Sequence, residues 1–275
     1  MTAWPFAIFA SALAGLLVSR RLPDASQRIA LPASVATFGL GAWQLLCELS
    51  GTKIFPTPLE TLRGMGYLVR DGTIFRYAVA SLFRVGWGFC TAAAVGIPLG
   101  LWAGWSSRSF RAVNPIIQGL RPISPIAWIP ISILWFGVGD LSAIFLIFLS
   151  SFFPIVVGTM AAVRNIPLVH IRSAQNFGVT GLDLFRRVVL PASMPQIITA
   201  LRIALGVAWL VVVAAEMIAV NSGLGYLIND ARNMGMRYDL VVGAMICIGI
   251  IGIGLDLLIR RMERFEEVSW GYPDR

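Results

Sequence analysis

Composition and the spacing of its apolar runs make this chain an all-α membrane protein. Hydrophobic residues fill 57% of the 275 positions and charged residues only 13%, with a mean hydropathy of +0.78, whereas a soluble domain is roughly 25% charged. Apolar runs recur at about residues 3–19, 29–49, 78–105, 113–136, 141–163, 195–221 and 239–259, most of them near the roughly 20 residues a helix needs to cross a bilayer. The charges gather between these runs. Backbone inside hydrocarbon must satisfy its own hydrogen bonds, so runs of this length are read as helices.

In chain order, the first run, "AWPFAIFASALAGLLVS", has no basic segment before it and "RRLPDASQR" behind it. A secretory signal has the opposite arrangement. Residues 1–28 are therefore expected to be an extra spanning or re-entrant helix with a basic linker, ahead of a main domain of six core helices over residues 29–275. The glycines and alanines of "GFCTAAAVGIPLGLWAG", residues 88–104, predict close approach to a neighbouring helix or a second subunit. Residues 113–136 hold Pro115, Pro122, Pro125 and Pro130, each without a backbone donor and crowding the turn before it. That helix must kink or break. Irregular backbone at membrane depth is tolerated where it packs in protein or lines a wet cavity, which makes Pro122, Pro125 and Trp128 candidates for a translocation pathway; a packing kink is the alternative. Glu216 lies in "VVVAAEMIAV", where an ionisable group needs a partner or water. Arg84 and Arg202 are the candidate partners, and Glu216 with Arg84 joins the pathway candidates; a solvated position at the external helix end is the competing reading. The tryptophans at 87, 102, 105, 128, 135 and 209 are expected to form an interfacial belt.

Orientation follows from the 22 basic residues. Placing residues 20–28, 106–112, 164–194 and the C-terminus on one side collects 13 of them against 6 on the other, with Arg84, Arg121 and Arg202 within or near apolar segments. The positive-inside bias makes the richer side, and the C-terminus, cytoplasmic. The net charge of +8 is then met by anionic lipid, and nucleic acid is not implied. Cys47, Cys90 and Cys247 lie inside apolar runs without CxxC spacing, and His170 is the lone histidine; neither a disulfide framework nor a metal site is expected.

One stretch breaks the apolar pattern on the cytoplasmic side: "RSAQNFGVTGLDLFRRVVLP", residues 172–191. At helical period it reads as two short amphipathic helices, with Ile171, Ala174 and Phe177 on one stripe and Leu182, Phe185 and Val189 on the other. Gly178 is placed to close the first in the left-handed conformation, Thr180 to cap the second with Asp183 three residues on, and Pro191 to stop it. Such a pair can lie in the lipid interface or dock in a groove on a partner protein. Periodicity leaves both open.

The spacing here resembles the signature "EAA, three residues, G, nine residues, I-x-LP" of binding-protein-dependent ABC importer permeases. Ser173 and Ala174 hold its second and third places, Gly178 its glycine, Val188 its isoleucine, and Leu190 and Pro191 its last two. Arg172 replaces the first Glu, as in the branch that imports nitrate, taurine and alkanesulfonates. "LRPISPIAWIPISILWFGVGD" (120–140), "FFPIVVGTMAAVRNI" (152–166), "SLFRVGWGF" (81–89) and residues 190–228 are similar to the same branch. The resemblance implies the type I importer bundle in a bacterial inner membrane, a multi-pass subunit that carries a small solute such as a sulfonate, nitrate or bicarbonate. It implies coupling helices at about 167–190, with Arg172, Ser173, Ala174, Gly178, Asp183, Leu190 and Pro191 docking on an ATPase. It also implies a second permease copy or close homologue and a periplasmic or lipid-anchored binding protein, with ATP and Mg held by the ATPase subunits. A phosphate-cradling loop needs GxxxxGK[ST], and Lys53, the one lysine, follows Thr52 outside any such pattern; the chain is expected to be no enzyme. The competing class is a self-contained secondary transporter with Glu216 in an ion relay, for which matching broken helices in two inverted halves would be expected.

Overall fold

The computed structural model describes residues 24–51, 55–233 and 235–262. The predicted N-terminal run at 3–19 and the end of the C-terminal tail lie outside the described residues. The described chain is helical throughout, and its contacts divide it into two compact units, Met1–Thr73 with Asp230–Ile246, and Ile74–Asn229 with Cys247–Arg275.

In the first unit, α1 (Asp24–Ser50) takes up the 29–49 run and tolerates Pro32 inside it. Along this helix Val35, Leu40, Leu46 and Leu49 are exposed, as lipid-facing residues are. α2 (Pro58–Arg70) opens on a capping box in which the Thr57 side chain accepts from Glu60 N–H and the Glu60 carboxylate accepts from Thr57 N–H at 2.8 Å, so two orphan donors are satisfied reciprocally. The Trp43 indole N–H donates to Pro56 C=O at 3.1 Å and ties α1 to the start of α2.

The second unit holds the spanning core. α3 (Thr73–Trp105) runs into α4 (Ser107–Leu120), then a 3₁₀ turn (Pro125–Trp128) continues as α5 (Ile129–Phe136). The axis bends by 82° between α4 and the Pro125–Phe136 segment: the proline-rich run is broken outright, as Pro122 and Pro125 demand. α6 (Asp140–Arg164) crosses back. Next come the short α7 (Leu168–Asn176) and α8 (Gly181–Leu184), a π-helical turn (Phe185–Val189), α9 (Leu190–Ala219) and α10 (Leu224–Asn233). α11 (Tyr238–Met262) closes the order; the end of α10 and the start of α11, Asp230–Ile246, belong to the first unit. Among the described residues four helices are long and apolar enough to cross a membrane, Thr73–Trp105, Asp140–Arg164, Gly181–Ala219 and Tyr238–Arg261, and five if the bent pair counts as one span.

The small-residue stripe of α3 packs on α6 with a constant register. A Cβ added at Gly88, Gly96, Gly100 or Gly104 would meet Ile147, Ile155, Thr159 or Val163 at 2.6 to 3.0 Å, always the residue 59 positions later. A fixed offset means that the two helices run parallel, and the four-residue spacing is the one that lets backbones approach in lipid. The neighbour predicted for residues 88–104 is thus α6 of the same chain. The broken segment packs on α6 and α9 through Trp128, Ile129, Leu146, Val211 and Ala215.

Three sequence expectations are corrected. Trp209 is buried, its indole N–H donating to Ile248 C=O at 3.1 Å, so it is a core residue and not part of a belt. Arg202 does not serve Glu216: it bonds Asp256 at 2.7 Å. Pro191 does not end a helix, because Gly181–Ala219 is one continuous apolar helix. The π-turn just before it explains this: Pro191 has no N–H to give and crowds the carbonyl four residues back, and a widened turn of the i→i+5 type relieves that crowding. The Leu190 N–H accordingly reaches Phe185 C=O.

Candidate functional site

Two clusters in the second unit bear the site residues expected from the sequence. The first is the short helical pair between α6 and α9. α7 ends at Asn176, Phe177 N–H bonds back to Ser173 and Ala174 C=O, and Val179 N–H reaches Ala174 C=O at 3.0 Å. Gly178 takes φ +81°, the left-handed conformation that costs an L-residue about 1–2 kcal/mol. Nothing lies within 4 Å of a Cβ placed there, so backbone strain alone selects glycine. Thr180 occupies the position before α8 in extended backbone but its side chain makes no capping bond. The predicted cap is therefore one of position only.

Exposure along the pair departs from the 3.6-residue reading. Ile171 and Ala174 are half-buried, while Phe177 is 87% exposed. In the second helix Leu182 is exposed at 62% and Leu184 is buried, where the predicted stripe has Leu182 inside. The π-turn is the cause: it carries one extra residue, so Leu184 and Val189, five apart, both face the core. Phe185 stays on the predicted stripe and meets Trp105 edge-on at 5.7 Å. Arg172, Ser173 and Asp183 are exposed and Leu190 is half-buried; Asp183 and Arg187 form a loose, solvent-facing pair at 3.8 Å. His170 is exposed beside them.

The second cluster surrounds Glu216. Its carboxylate is 0% exposed and the Arg84 side chain 2% exposed, and they pair at 2.6 Å. One carboxylate oxygen accepts from Arg84; the other accepts from the Ser81 hydroxyl and from Gly225 N–H, both at 2.9 Å. The Ser81 oxygen in turn accepts from Leu224 N–H at 3.0 Å. Arg84 spends its remaining donors on Asp140, at 2.8 Å, and on the Ser222 carbonyl and hydroxyl. Every strong group in the knot is answered, which is the condition for burying charge in lipid-depth protein. Gly223, at φ +106°, presses so close that a Cβ would lie 2.3 Å from the Glu216 carboxyl.

The structure therefore selects Arg84 from the two candidate partners of Glu216, and excludes the solvated end position. It brings Arg84 and Glu216 together; of the other pathway candidates, Pro122 is exposed, and Pro125 and Trp128 are partly buried in the break between α4 and α5. Sequence reasoning missed Ser81, Asp140, Ser222 and Gly225. Ser81 carried a signal, since it stands three residues before Arg84 and shares its helix face; Asp140, Ser222 and Gly225 carried none, because they meet Arg84 and Glu216 only through tertiary packing. Among the described residues no group of three or more His, Cys, Asp or Glu side chains is arranged to hold a metal ion.

Comparison with known proteins fits this architecture. The family described as binding-protein-dependent transport system inner membrane component matches residues 96–265. A putative ABC transporter permease protein of Methanocaldococcus jannaschii is 39% identical over 261 residues, covering 90% of this chain and 94% of that one. The nitrate import permease protein NrtB of Leptolyngbya laminosa is 38% identical, covering 90% of each, and the taurine transport system permease protein TauC of Escherichia coli is 33% identical, covering 90% and 94%. In fold, the chain is similar to the MetNI methionine ABC transporter in inward-facing conformations, with a TM-score of 0.55 at 20% identity over 67% of this chain and 94% of that one. An all-helical core with a broken span, a polar helical pair between two spans and this set of relatives lead to one conclusion: the chain belongs to the family of binding-protein-dependent transport system inner membrane components, as an ABC importer permease of the nitrate, taurine and sulfonate type.

Proposed function

We propose that the chain forms half of the membrane pathway of an ATP-driven importer for a small oxyanion such as a sulfonate, nitrate or bicarbonate. Two copies, or one copy and a close homologue, stand side by side in the inner membrane with their C-termini in the cytosol. Two ATPases that hold ATP and Mg sit beneath, and an external binding protein delivers the solute. The chain itself hydrolyses nothing. Residues at about 167–190, with Arg172, Ser173, Ala174, Gly178, Asp183, Leu190 and Pro191, form the docking element. The broken segment with Pro122, Pro125 and Trp128 contributes to the pathway wall, and Arg84 and Glu216 stand behind it. Nucleotide binding shifts the bundles between inward- and outward-open forms because it binds the two arrangements unequally.

The observation that carries this reading is Phe177: a large apolar side chain 87% exposed, on a turn closed by a left-handed glycine, with Leu168 and Val169 also exposed at the start of the helix that leads to it. Exposed apolar patches of this kind mark an interaction site, and a helical pair with such a face suits a groove on a partner. The substrate class rests on the relatives' names. The test is recovery of an ATPase subunit with the detergent-solubilised chain, and uptake that fails without it. Gly178→Val, at about 1–2 kcal/mol or more of backbone strain, inserts in the membrane but loses coupled uptake. A Gly178→Val variant that transports at the wild-type rate with unchanged ATPase stimulation refutes the docking role.

A further inference from the structure

We infer that Glu216 and Ser81 are positioning residues that join the outer helix α10 to the far end of α9, so that a contact made on the outer face reaches the cytosolic docking element through one continuous helix. This rests on the docking reading above, and it gives a role in coupling to a buried cluster which that reading only sets behind the pathway wall.

The geometry begins at the first turn of α10. A helix start leaves backbone donors without intrahelical partners. Here two of them are taken up from other elements: Leu224 N–H by Ser81 of α3 and Gly225 N–H by Glu216 of α9. The carboxylate also meets the positive end of the helix dipole. Gly225 then lies against α9 so tightly that a Cβ would be 2.3 Å from Val213 C=O, and the Asn229 amide donates to Met217 C=O at 3.2 Å one turn later. α10 thus starts beside the last turns of α9 and is fastened to it at successive turns. Arg84 extends the fastening to the first turn of α6 through Asp140, and Gly139 N–H adds a bond to Ala219 C=O at 2.9 Å.

From Glu216 the same helix continues without a break to Gly181. Asp183 and Glu216 are 33 residues apart, about 50 Å at 1.5 Å per residue. Its irregular part, the π-turn with Pro191 and Pro195, lies at the cytosolic end, where Val189 is clamped by Val163 and Ile166. A rod held at both ends by buried contacts has few ways to absorb a displacement other than to pass it on.

The permease is assembled in lipid nanodiscs with its ATPase partner, and ATP hydrolysis is measured with and without the external binding protein. For Glu216→Gln the ratio of stimulated to basal hydrolysis falls about fivefold or more, the lower end of ordinary coupling energies. A role confined to stability lowers the amount of complex and its melting temperature but leaves that ratio intact, and an intact ratio overturns the inference. Should Glu216→Gln fail to assemble, Ser81→Ala removes one of the two external acceptors with a smaller change and is read by the same ratio. A wild-type chain that recovers no ATPase refutes the docking role itself, while a stimulated wild type beside an equally stimulated Glu216→Gln refutes only the positioning role.

Discussion

Among single residues, Arg84 is the clearest case of a side chain whose value lies in what it satisfies. It answers Glu216 and Asp140 and ties in Ser222. Truncating one partner of a buried pair strands the other charge, typically at about 3–5 kcal/mol. Arg84→Met is therefore expected to lower stability by that amount, read as a fall in the thermal midpoint of the solubilised chain. Arg84→Met combined with Glu216→Leu recovers part of the loss, because no buried charge remains although the Ser81 hydroxyl and Gly225 N–H lose their acceptor. Equal losses in the single and double variants would show that the pair's geometry, and not its charge balance, holds this region. The need of Glu216 for a partner was legible in the sequence, since an acid amid apolar residues announces it. The choice between Arg84 and Arg202 was not, because both stand in apolar runs and only packing decides which faces Glu216.

Between helices, the α3–α6 contact is set by side-chain size. The backbone carbonyls of Ile144, Val156 and Met160 lie 2.9 to 3.0 Å from the Cβ positions of Gly88, Gly100 and Gly104, so the helices have no space to yield. Overpacking of such a contact costs about 1–3 kcal/mol. Gly100→Ala, which drives a methyl to 2.6 Å from Thr159 Cβ, is expected to destabilise by that much, whereas Gly86→Ala, with nothing within 4 Å, is neutral or stabilising within a helix. Thermal denaturation of the two variants side by side separates a packing effect from a helix-propensity effect. The small-residue pattern at 88–104 made the close approach foreseeable. The π-turn was not: a 3.6-residue period assumes a regular helix, so it placed Leu182 inside, whereas Leu182 is exposed and Leu184 is buried.

For the molecule in its bilayer, the distribution of basic residues predicts which side each connection occupies. With the native cysteines replaced, Asp183→Cys is expected to react with a membrane-impermeant thiol reagent only from the cytosolic side, and Asp71→Cys only from the outside. Labelling of both from one side would overturn the topology, and with it the cytosolic position of the proposed docking pair. Both positions are exposed, so a lack of reaction from one side reports the membrane and not burial.

Composition, proline chemistry and periodicity are local properties, and they were enough to make the chain helical and membrane-embedded, to forbid a straight helix over 113–136, and to set a polar helical pair between the spans. They could not say that α6 is the partner of the α3 stripe, that Glu216 is held by Arg84, Ser81 and the start of α10, or that Pro191 sits within a continuous helix. Those outcomes depend on which distant segments touch, and they emerged only when the helices packed. Hydrophobic patterning reports how far a residue is from water, but not which of several equally apolar neighbours it meets.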